Sequence, residues 1–95
     1  MTLTLDEVKT HLRIEQDEED EYLDGLIRYA QAAAEDYCRV NFTEEAPESV
    51  RLAMLVMVSH FYTYRENEDK TAYDAMMSAF HTLLYPNRDP ELMFG

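Results

Sequence analysis

Leu23, Leu26, Ile27, Ala30, Ala33, Ala34 and Tyr37 recur at spacings of three and four residues, which draws one apolar stripe along a helix. The pattern predicts a helix from an N-cap near Asp17 to about Arg39. Upstream, Leu5, Val8 and Leu12 share one side of a shorter helix over about residues 5–12. Thr4-Leu5-Asp6-Glu7 opens it as a capping box, in which the Thr4 hydroxyl accepts from the Glu7 amide and the Glu7 carboxylate reaches back. After a polar break over residues 41–46, Pro47 suits the first turn of a third helix, where its missing N–H is not needed. Apolar residues from Val50 to Tyr64 cover nearly the whole circumference of that helix, the pattern of a segment buried on most sides. A fourth helix over about residues 71–85 carries Tyr73, Met76, Met77, Phe80, Leu83 and Leu84 on one face, and Pro86 stops it. The expected fold is all-α: a compact four-helix unit with a short first helix, a long second, a buried central third and a C-terminal fourth. No repeat, linker or low-complexity segment divides it, so residues 1–95 read as one domain.

The polar positions refine this picture. Seven of the ten residues from Glu15 to Asp24 are acidic, a cluster favoured where the helix macrodipole is positive. Glu18, Glu19, Asp20 and Glu21 are expected to form an acidic surface there. Asp24 with Arg28, and Glu35 with Arg39, stand as i,i+4 pairs in the favourable acid-first order. Gly25 costs about 1 kcal/mol relative to Ala inside a helix, which close packing by a neighbour would explain. The third helix has more apolar surface than so short a chain can cover, and Leu92-Met93-Phe94 is apolar for a free end. Both are expected subunit contacts.

Charge and cysteine content narrow the function classes. Twenty acidic residues against eight basic ones give a formal net charge of −12, the opposite of the basic footprint by which proteins grip phosphates. The single cysteine, Cys38, excludes an intrachain disulfide and a cysteine-rich metal site. The apolar run Leu52–Val58 is far short of the ~20 residues a membrane span needs, so a soluble protein made in the cytosol is expected.

Catalytic constellations are hard to assemble. His11, His60 and His81 fall on three different helices without a second ligand at metal-binding spacing. Ser59 and His60 are adjacent on a helix, so their side chains point about 100° apart and do not make a nucleophile–base pair. His60 is expected at the edge of the core with a backbone or carboxylate partner. The Glu18–Glu21 run lacks the spacing and the glycine of a calcium loop, and Gly25 and Gly95 cannot build a phosphate loop. Cys38 ends an apolar stripe and reads as buried filler. The expectation is a protein that is no enzyme and needs no cofactor or metal.

Three segments, in order, carry a family likeness. Leu5-Asp6-Glu7-Val8-Lys9-Thr10-His11-Leu12-Arg13-Ile14 with the acidic run and long helix after it, His60-Phe61-Tyr62-Thr63-Tyr64-Arg65-Glu66, and Leu83-Leu84-Tyr85-Pro86-Asn87-Arg88 resemble small phage head-tail connector, or DNA-packaging adaptor, proteins. The chain departs from that pattern at Tyr64, where Asn is common, and at Asp74-Ala75-Met76-Met77. The resemblance implies a ring of about twelve copies under a portal protein, extending the DNA channel and docking the next head-completion or tail protein. DNA would pass without specific binding. The protein would be found in the host cytoplasm during assembly and then at the virion's head-tail junction. His60, Tyr62, Arg65, Glu66, Leu83, Leu84, Pro86 and Arg88 are the structural and interface residues it points to. The runner-up is a small acidic inhibitor that mimics DNA or masks a basic protein.

Overall fold

The computed structural model describes residues 3–42 and 45–89. Among them are four α-helices and no strand: α1 (Leu5–Leu12), α2 (Asp20–Cys38), α3 (Glu48–Thr63) and α4 (Lys70–Leu84), closed by a 3-10 turn at Tyr85–Asn87. The Leu92–Phe94 end lies outside the described residues.

The capping box forms as expected. The Glu7 N–H donates to Thr4 Oγ1 and the Thr4 N–H to Glu7 Oε1, both at 3.1 Å. Helix α2 begins three residues after the expected cap at Asp17, because the acidic run is drawn elsewhere. Lys9 of α1 donates to Asp17 at 2.7 Å and to Asp20 at 2.6 Å. The chain turns through Asp17–Glu19, and the Glu19 carboxylate is held by Tyr62 and Arg65 rather than capping its own helix. Pro47 likewise sits one position earlier than expected. It is the N-cap of α3, and its carbonyl accepts from Val50 and Arg51. In α4 the Asp69 side chain caps by accepting from the Ala72 N–H at 3.0 Å.

Two further expectations are corrected. Asp24 pairs with Arg28, but Glu35 turns away from Arg39 and accepts from the Phe42 N–H at 2.8 Å, tying down the chain beyond α2. A Cβ on Gly25 would meet only the end of the Arg28 side chain at 3.8 Å, so no neighbour packs closely enough to require glycine.

Helices α2 and α4 both run against α3. The far end of α3 reaches the start of α2 through Tyr62 and Glu19, while Cys38 at the end of α2 meets the end of α4 at the Leu84 carbonyl. One core joins them. Leu23, Ile27, Ala30, Ala34 and Cys38 of α2 pack with Val50, Ala53, Met54, Met57 and Val58 of α3 and Met76, Phe80 and Leu84 of α4. Val8 and Leu3 close the α1 side. The result is a slab 45 × 32 × 17 Å, too thin to enclose α3. Leu52 is 47% exposed, and Leu55 and Val56 are only partly covered.

Candidate functional site: two grooves on either side of the central helix

The interhelical anchor is built from the acidic turn and the end of α3. Tyr62 Oη donates to Glu19 Oε1 at 2.6 Å, and the Arg65 guanidinium donates to the other carboxylate oxygen. Arg65 also lies over two rings, 4.8 Å from the Tyr62 centroid and 5.5 Å from that of Tyr22. The tyrosine hydrogen bond, with the guanidinium beside it, holds the Glu19 carboxyl below the usual carboxylate range. That same bond, reinforced by burial, raises the Tyr62 phenol, and the carboxylate raises Arg65.

The opposite end of the slab is fastened by the segment after α4. Arg88 stacks 4.7 Å over the Tyr37 ring and donates from Nε to the Tyr37 carbonyl at 3.2 Å. The Asp89 N–H reaches the Cys38 carbonyl at 2.8 Å, and Asn87 donates to Ser49 Oγ at 2.8 Å. Burial raises the Cys38 thiol against the opposing pull of Arg88.

Of the residues singled out from sequence, Tyr62 and Arg65 therefore meet Glu19, and Arg88 works alone at the other end. Leu84 is fully buried and Leu83 packs against the core, so Leu84 offers no surface to a partner. Pro86 is exposed in the closing turn and Glu66 on the loop after α3. His60 is 8% exposed among rings, 4.8 Å from Tyr64, 5.5 Å from Phe61 and 5.8 Å from Tyr73 between centroids. Glu19 and Asp20 are in internal pairs and half-buried, whereas Glu18 and Glu21 stand exposed with Glu15 and Asp17 of the same run.

Two open grooves flank α3. One, of about 520 Å³, is floored by Leu52, Leu55, Val56, Ala75 and Met76 and has no carboxylate in its lining. The other, of about 550 Å³, is aromatic: Tyr22 and Tyr29 from α2 face Phe61, Tyr64 and Tyr73, with Glu66 and Glu68 on its rim. Sequence reasoning missed Tyr22 and Tyr29. Their seven-residue separation on α2, two turns along one face, was the available signal. Among the described residues, no group of three or more His, Cys, Asp and Glu side chains could hold a metal ion, and no helix is long and apolar enough to cross a membrane.

The description of phage gp6-like head-tail connector proteins matches residues 2–86. The chain belongs to that family. Its role is accordingly that of a structural connector of the phage head and tail. No curated protein and no solved structure matches this connector.

Proposed function

We propose that this connector assembles into a closed ring beneath the portal, extends the DNA channel and docks the next head-completion or tail protein at the virion's head-tail junction, after synthesis in the host cytoplasm. The observation that carries the reading is the uncovered apolar side of α3, with Leu52 47% exposed above a carboxylate-free groove. Copies carrying −12 each repel wherever carboxylates face one another, so a side without them, as at this groove, lets two copies approach at low cost. A face on α3 meeting a different face on the next copy is a heterologous contact, the kind that builds a ring when the rotation from copy to copy closes; the family resemblance implies about twelve subunits. An acidic wall would let DNA slide past without the counterion release that makes it bind. The inhibitor alternative needs a continuous acidic face, and the internal pairs of Glu19 and Asp20 interrupt it.

Light scattering across a concentration series, with and without the matching portal, tests this. A ring-sized mass in either sample, lost in Leu52→Asp, is expected. A monomer in both samples would sink it. Charge reversal at Glu18 and Glu21, sparing the structural Glu19, should leave assembly intact, whereas an inhibitor would lose its target.

A further inference from the structure

The aromatic groove has a chemistry that ring formation does not use. Arg65 shows the kind of contact on offer: its guanidinium lies over the Tyr22 ring of the groove and over Tyr62 next to it, and is closed by the Glu19 carboxylate beside the groove. Beyond Arg65, the rings of Tyr29, Tyr64 and Tyr73 line the same groove, and among the described residues no cation lies over them. Tyr29 is 58% exposed, and Glu66 and Glu68 on the rim are both exposed. We propose that this groove docks a basic segment of a partner protein, its arginine or lysine side chains stacking on Tyr29, Tyr64 and Tyr73 and pairing with Glu66 and Glu68.

Charge selects the occupant. A second copy at −12 brings like charge to an acidic rim, and nucleic acid would set phosphates against Glu66 and Glu68. A basic segment gains on both counts, from the rim carboxylates and from the field of the whole chain. The site shares His60 and Tyr64 with the carboxylate-free groove assigned to copy–copy contact, but Tyr29, Glu66 and Glu68, the residues substituted to test it, line the aromatic groove alone, so the test stands or falls apart from ring assembly.

The probe is a fluorescein-labelled peptide, Arg-Leu-Arg-Leu-Lys-Leu, followed by fluorescence anisotropy at physiological salt. Saturable binding is expected, weakened at least about tenfold by Tyr29→Ser and by the Glu66→Lys/Glu68→Lys pair. Asp36→Lys/Glu45→Lys changes the net charge equally at the other end of the slab and should weaken binding by less than about twofold if the groove is the site. Circular dichroism and urea midpoints confirm that each variant folds. No saturable binding, or equal weakening by the two charge-reversal pairs, overturns the proposal. So does a fall in the light-scattering mass of Tyr29→Ser with peptide affinity unchanged, which would make a second copy the occupant.

Discussion

Glu19 decides how the acidic turn behaves. From sequence it is one carboxylate in a run of four, indistinguishable from Glu18 or Glu21, and the run reads as a solvated surface. Only the antiparallel docking of α3 brings Tyr62 and Arg65 to it from more than forty residues away. Tyr62 and Arg65 themselves were legible as a motif, but their partner was not, because a long-range pair leaves no local pattern. The lowered Glu19 carboxyl has a pH consequence. Its stabilising effect is complete above the unfolded carboxylate value of about 4.3 and disappears as pH falls through the lower folded value. Urea midpoints of wild type and Glu19→Gln should therefore differ at pH 6 and converge as the solution is acidified. Tyr62→Phe removes the leading cause of the shift, so the Glu19 carboxyl should titrate at higher pH in a side-chain NMR titration. An unmoved titration in Tyr62→Phe would leave Arg65 as the sole cause.

The helices were legible where local rules act alone. The capping box at Thr4 and Glu7, the stripe of α2 and the face of α4 formed as their spacing predicts. Boundaries moved where a tertiary partner competed, as Lys9 did for Asp17. The ends of α1 and α2 fall where the apolar pattern puts them, though without the usual glycine: with only two glycines in the chain, α1 and α2 end on Arg13 and Arg39 in the left-handed region, at φ 59° and 58°. A Cβ there costs about 1–2 kcal/mol, which glycine avoids. Gly25, meanwhile, sits inside α2 with room for a methyl group. Gly25→Ala is expected to stabilise the fold by about 0.5–1 kcal/mol and Arg39→Gly by about 1 kcal/mol. Both changes are read from urea unfolding. Being about four helical turns apart, they should add. A destabilised Gly25→Ala with normal assembly would place an unseen close contact on that face of α2.

At the scale of the whole molecule, two demands conflict. A slab 17 Å thick cannot cover a central helix that is apolar on nearly every side, which favours association, while a charge of −12 opposes it. The conflict predicts that the proposed ring assembly depends on salt in a direction that reports its mechanism. Repulsion between copies acts over about 30 Å at 0.01 M salt but only about 3 Å at 1 M, whereas apolar contact at Leu52, Leu55 and Val56 needs no charge. Raising sodium chloride from about 0.02 M to about 0.5 M at fixed protein concentration should therefore increase the light-scattering mass towards a closed ring. Leu52→Asp should abolish that gain, because it puts a carboxylate into a groove that lacks them. A mass that instead falls with salt would mean that ion pairs, not the side of α3, hold the copies together. The interface would then lie where Arg13 and Arg39 stand exposed at the helix ends, and reversing their charge would become the informative change.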